Sequence, residues 1–329
     1  MMYPTIDLHC DLLSYLLNVS GADPFSRADI GCSIPDLQRG NVKLQVMAIY
    51  APTQPDSVEK GLKQSEIFRK IVDTHTDHFQ AVESSSDFDQ FSKSEKIGIV
   101  AAIENGSVFC AEGDSLDSGF EQLEKIISNA HRILCIGLTH HTENRFGGGN
   151  NSTLGLKNDG EELLKYISGR QIAIDFSHTS DALAHDILNC INKFGLDVPV
   201  MASHSNYRSI YVHNRNLPDE IAQEIINRKG VIGLNLLRAF LDNENPQTLY
   251  DHIAHGLSLG GKESICFGAD YFYTFSHPDP SRIPFYHKNH ENAGCYPQLL
   301  LDIEERFSKE LAESISHQNV VRFVQRLWN

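Results

Sequence analysis

The sequence predicts an α/β fold: a (β/α)8 TIM barrel with extra C-terminal helices, in a single domain over residues 1–329. Three observations predict it. Eight short β-rich runs are apolar nearly throughout rather than alternating, the pattern of parallel strands covered on both faces. Helical stretches lie between them, and successive runs start 27 to 54 residues apart, room for a crossover helix each time. Nearly every run also finishes on a polar or ionisable residue, at the strand end where such barrels build their sites.

The first runs are "TIDLHC" (5–10) and "VKLQVMAIY" (42–50), followed by a helical stretch over 57–79 and the run "KIGIVAAIE" (96–104). "GFEQLEKIISNAHR" (119–132) leads into "RILCIGLTH" (132–140), and "DGEELLKYISG" (159–169) into "QIAIDFSH" (171–178). "SDALAHDILNCINKFG" (180–195) precedes "VPVMASHS" (198–205), and "PDEIAQEIINRKG" (218–230) precedes "GVIGLNLL" (230–237). "PQTLYDHIAHGLSLGG" (246–261) precedes the last run, "SICFGAD" (264–270). The helical stretches place apolar residues three and four apart, and several end in the glycine that stops a helix. Residues 296–328 read as two closing helices. A doubly wound open sheet is the alternative, but no glycine-rich nucleotide loop follows the first run.

Composition narrows the partners. Against 28 Lys and Arg stand 43 Asp and Glu, a net charge of −15 that repels phosphate backbones and anionic lipid. Neither nucleic acid nor a membrane surface is an expected partner. Seven cysteines (10, 32, 110, 135, 190, 266 and 295) have no CxxC and no regular spacing. Several lie in apolar runs, so buried free thiols in a reducing compartment are expected. With no secretory signal, anchor tail or 18-residue apolar run, the expected location is cytoplasmic.

The chemistry sits at the run ends: His9 and Asp11, Glu104, His140, His178, His204 and Asp270. In a barrel these converge on one mouth. His9 and Asp11, two apart, point to one side of a strand, with Asp7 expected deeper on that face. An HxD pair alone is common and says little. Glu104 alone reads equally as a loop-bonding carboxylate. His178 and His204, however, repeat one pattern on consecutive runs: an apolar strand, Ser, His, then a small polar residue. Together these five exceed what one catalytic zinc with an open position needs, and fit two ions sharing a carboxylate. Manganese, cobalt or iron suit the same donors.

Arg215 precedes a helix and has the fork to clamp a carboxylate, although a solvated arginine reads equally well from local sequence. His252 and His255, one turn apart mid-helix, are expected to pack or face solvent. "RFGGGNN" (145–151) lacks the Lys-Ser/Thr of a phosphate cradle and is expected to be a flexible loop beside the pocket.

With these residues in view the chain resembles the membrane (renal) dipeptidase family of binuclear zinc hydrolases, within the amidohydrolase-like superfamily. The resemblance runs through "DLHCDLL", "AAIENG", "GLTHH", "IAIDFSHTS", "MASHSNYRSIYVHNRNLPDEI", "CFGADY" and "YPQLL", nearly the whole chain. It implies two zinc ions per subunit. His9 and Asp11 would hold one, His178 and His204 the other, and Glu104 would bridge both. It further implies that His140 contacts the substrate carbonyl or its tetrahedral intermediate, Arg215 the terminal carboxylate, and Asp270 the water or the departing amine. A homodimer is implied too.

The sequence departs from the family pattern at Asn105, where Gly-Gly is usual, and at Phe272, where many members carry Asp. Phe240 stands where a substrate-contacting Tyr occurs in some members. These changes spare the metal set and bear on side-chain specificity. The expected activity is hydrolysis of a dipeptide amide bond by a metal-bridging hydroxide, a D-residue at the C-terminal position being one open case. Another amidohydrolase-type amide or lactone hydrolase is the alternative, but HxH and a carbamylated Lys would then be usual. A non-catalytic metal-binding barrel has no need of Asp270.

Overall fold

In the computed structural model, which describes residues 3–87, 94–275 and 277–329, the strands are all parallel. They are β1 (Thr5–Cys10), β2 (Val42–Ile49), β3 (Phe79–Ala81), β4 (Ile97–Ile103), β5 (Ile133–Gly137), β6 (Ala173–Asp175), β7 (Val200–Met201), β8 (Ile232–Leu234) and β9 (Ile265–Phe267). Their order is β7-β6-β5-β4-β2-β1-β9-β8. A bridge between Ala202 and Ile232 joins the two ends, with Gly233 N–H donating to Ala202 O at 2.8 Å. The sheet is therefore a closed eight-stranded barrel, and the open-sheet alternative falls. The seam needs glycine: a Cβ on Gly233 or Gly268 would sit 1.9 Å from Ser203 O.

Three expectations are corrected. Residues 57–79 are not one helix. It ends at Thr74, and Phe79–Ala81 forms β3, which pairs with the first residues of β4. The chain after Tyr296 breaks into helices Tyr296–Arg306, Lys309–Glu313 and Asn319–Trp328, with a π-helical turn at Ser314–Gln318. The runs ending at His178, His204 and Asp270 are strands of only two or three residues, so these side chains stand on the loops that follow.

Two apolar layers hold the barrel. One lies between strands and surrounding helices. The other fills the barrel with Ile6, Leu8, Leu44, Val46, Val100 and Ala102, and Val320, Phe323, Val324 and Leu327 of the final helix close it from below. Asn319 ties that helix to the start of β9 by donating to Ile265 O at 2.7 Å. The bottom is thereby sealed and the opposite mouth left for chemistry.

Candidate metal centre and active site

At β1 the predicted alternation breaks. Asp7 pairs with Gln45 but Cys10 with Met47, so three steps on β1 match two on β2. This bulge re-aims the strand. Leu8 stays in the inner layer and His9 turns into the mouth, while Asp7 reaches the helical layer, not the face of His9. The Asp7 carboxylate accepts from Tyr296 OH at 2.6 Å, His9 N–H at 3.0 Å and Ala269 N–H at 3.1 Å. Burial still pushes its pKa up to about 6. Asp7 is a brace between β1 and β9.

Glu104, directly after β4, stands between the other groups. Its Oε2 is 3.7 Å from His9 Nε2, and its Oε1 is 3.0 Å from His178 Nε2 and 3.6 Å from His204 Nε2. His140 Nε2 also lies 3.6 Å from Oε1. On the His9 side, Asp11 Oδ2 is 4.0 Å and Asp270 Oδ1 3.7 Å from Nε2. Donor atoms group within 4.8 Å as His9, Asp11 and Asp270, as His9, Glu104 and His204, and as His140, His141 and His178. The mouth thus joins every predicted donor and adds Asp270 beside His9.

The hydrogen bonds behind the histidines fix their tautomers. His204 Nδ1–H donates to Ser203 Oγ at 2.6 Å, and that hydroxyl donates to the buried Asp175 carboxylate. His178 Nδ1–H donates to Asn150 Oδ1 at 3.2 Å, which also accepts from His141 Nδ1–H at 3.0 Å. Both Nε2 lone pairs therefore point into the centre, only 3.1 Å apart, each toward a carboxylate oxygen. His9 Nε2 and Asp11 Oδ1 are buried with no hydrogen-bond partner among the described residues.

Burial holds His9 down to about 3, and His178, His204 and His140 well below the usual imidazole range. Burial first, then the neighbouring carboxylates, hold Asp11 and Glu104 well above the usual carboxylate range. The imidazoles stay neutral, and the carboxyls, pushed up by burial and by one another, resist ionising unless a cation is near. Such a donor set fits divalent cations and fits poorly without them.

Local backbone aims two of these groups. His178 and Asp270 take left-handed conformations, φ 71° and 66°, at a cost of order 1 kcal/mol or more each. Asn235 Nδ2 holds Asp270 Oδ2 at 2.9 Å, leaving Oδ1 toward His9. Asn105 does not disturb the centre. It is buried, donates to Ala51 O at 2.9 Å and accepts from Asn144 Nδ2 at 2.9 Å, bracing the turn after Glu104.

A cavity of about 340 Å³ opens over the donors, with Asp11, Glu104, His140, His178 and Asp270 in its floor and Tyr15, Tyr50, Phe240 and Phe272 in its walls. Arg215 is not on that wall. It is 3% exposed, its fork donates to Ser205 Oγ at 2.7 Å and His204 O at 2.9 Å, and its Nε has no partner among the described residues. The glycine-rich loop is packed, correcting its reading as flexible: a Cβ on Gly149 would meet His140 O at 2.1 Å. That loop supplies Asn150. Like Ser203 and Asp175 it escaped sequence reading, although a Ser preceding each His was a visible signal.

A family model described as membrane dipeptidase, peptidase family M19, matches residues 1–327. The chain belongs to the membrane dipeptidase family. A protein of this family is a metallo-dipeptidase, and the candidate ligand groups supply its metal requirement. Among solved structures, the family M19 dipeptidase AC is 17% identical, covering 100% of this chain and 99% of its own, with a TM-score of 0.86. A metallopeptidase from Rhodobacter sphaeroides, bound to a phosphinate mimic of L-Ala-D-Ala, is 16% identical over 100% of both chains, with a TM-score of 0.83. The probable dipeptidase PvdM from Pseudomonas aeruginosa is 15% identical over 99% and 96%, with a TM-score of 0.80. These likenesses match this membrane dipeptidase relative in fold. No described helix is long and apolar enough to cross a membrane.

Proposed function

We propose that this family member hydrolyses free dipeptides, including ones with a D-residue at the C-terminal position, using two divalent ions, zinc by donor type. One observation carries the reading: Oε2 of Glu104 faces the His9 imidazole while its Oε1 faces those of His178 and His204. His9 and Asp11 would hold one ion and His178 and His204 the other, with Glu104 shared. Two such ions supply polarisation of the scissile carbonyl and a lowered pKa for water.

The chain's own groups supply the rest. Asp270, pushed up to about 6 by burial, presents Oδ1 at the centre and is suited to take a proton from the attacking water and pass it to the leaving amine. His140, neutral and flanked by Tyr50 at 3.3 Å, is placed to donate to the developing oxyanion. Arg215, although it lies behind the cavity wall, keeps N–H groups beyond its two bonds, its Nε unpartnered among the described residues, and in this reading takes the substrate's terminal carboxylate.

Metal analysis and a panel of L,L and L,D dipeptides beside a tripeptide test this. Two bound ions and cleavage of dipeptides over the tripeptide are expected. Cleavage of the tripeptide and of no dipeptide would overturn the reading. Asp270→Asn is expected to lower kcat at least 100-fold, and near-native turnover would remove Asp270 as proton carrier.

A further inference from the structure

One cation on the cavity wall has no acid to bind. Arg282, on the segment after β9, lines both the cavity over the donors and the adjoining groove of about 700 Å³. Among the described residues it forms no ion pair, whereas Arg208 is tied to Asp181 and Arg145 to Asp159. Among the described residues lining that cavity it is the one Lys or Arg, and the carboxylates there, Asp11, Glu104 and Asp270, belong to the metal floor.

Its fork is held by packing rather than by charge. The guanidinium carbon lies 5.6 Å from the Phe240 ring centroid and 5.4 Å from that of Phe285, and Nη1 is 3.5 Å from His277 Nε2. Aromatic faces of this kind hold a guanidinium in place while leaving its N–H edge free. Arg215 lies 5.7 Å from the same Phe240 ring, so two cations share one aromatic side chain. A half-buried guanidinium with no acid partner among the described residues, lining a substrate cavity, is a receptor for a carboxylate supplied by the ligand.

We infer that Arg282 is a specificity-determining residue that reads a second carboxylate, so that the preferred substrates are dipeptides whose C-terminal residue has an acidic side chain. This rests on the dipeptidase reading above, in which Arg215 takes the terminal carboxylate. Phe240 matters here because, lacking a hydroxyl, it offers the acid no competing hydrogen bond and only supports the two forks.

The test compares kcat/KM of the metal-loaded enzyme on Ala-Glu and the near-isosteric Ala-Gln, with the second residue in L and D forms. The wild type is expected to favour Ala-Glu at least tenfold, mainly through KM. Arg282→Gln is expected to bring the Glu-to-Gln ratio close to one. Arg282→Glu is expected to turn the preference toward Ala-Lys over Ala-Gln, a gain that misfolding cannot produce. Equal wild-type rates on Ala-Glu and Ala-Gln would overturn the inference while leaving dipeptide hydrolysis intact. An unchanged ratio in Arg282→Gln would overturn it as well, since the cation would then be reading a group common to both substrates. Failure to cleave any dipeptide would overturn the dipeptidase reading with it.

Discussion

At the scale of single residues, the centre depends on groups that touch no substrate. Asn150 holds the Nδ1–H of both His178 and His141 through one oxygen, and so leaves the His178 Nε2 lone pair inward. Partners of this kind change metal affinity about 10- to 100-fold when removed. Asn150→Ala is therefore expected to weaken metal binding by that factor, read by competition with a chelating dye. Asn150→Asp keeps the acceptor oxygen and is expected to retain most of the affinity. If both variants bind as the wild type does, Asn150 has no positioning role. Ser203 and Asp175 make the same kind of relay behind His204, in which the hydroxyl passes the constraint from a buried carboxylate to the ring.

At the scale of elements, the helix Thr248–Ser258 shows how a histidine pair at metal-like spacing is used for structure. His255 pairs with Asp219 at 2.9 Å. His252 is buried, accepts from Tyr207 N–H at 3.2 Å through Nδ1 and donates to Leu241 O at 3.1 Å through Nε2. Protonating Nδ1 would abolish the first bond, and burial holds the pKa down to about 4. The unfolded ring binds a proton near pH 6.5, so the folded state binds fewer protons between those values. Stability from this residue is complete above about pH 6.5 and is lost as pH falls toward 4, up to about 3 kcal/mol. Urea unfolding at pH 7 and pH 5 should show a smaller loss in His252→Gln than in the wild type. An equal loss in both would exclude His252 as a source of the acid sensitivity.

At the scale of the whole molecule, the barrel brings together groups from six strand ends that the chain separates by up to 261 residues, from His9 to Asp270. Burial and mutual proximity make their carboxyls costly to ionise there, a cost that a bound cation offsets. Binding to the native state alone stabilises it by mass action, about 2.7 kcal/mol per site at a hundred times the dissociation constant. Scanning calorimetry of chelator-stripped protein is expected to show a rise in Tm on adding zinc, and Glu104→Gln should lose most of that rise. A Tm in stripped wild-type protein that zinc does not move would argue against a metal centre among these donors.

Much of this was legible in the chain because barrel strands and site chemistry leave local marks. Apolar runs at crossover spacing specify a parallel barrel, and a polar residue at nearly every run's end marks the mouth, so five candidate donors from His9 to His204, and Asp270 as a group beside them, can be named from pattern. Position along a strand is a weaker guide. Alternation placed Asp7 beside His9, but a bulge in β1, set by pairing with β2 and β9, sends it to Tyr296 instead. Asn150, Ser203 and Asp175 matter only through what their side chains reach across the fold. The same holds for Arg215 and Arg282: as residues they are alike, and packing decides that one is buried against the His204 backbone while the other lies on the cavity wall with no acid partner among the described residues. Sequence by itself determined which chemical groups reach the mouth, since strand periodicity is local. Tertiary structure decided which way each group points and which is left without a partner, because orientation and pairing depend on neighbours far away in the chain.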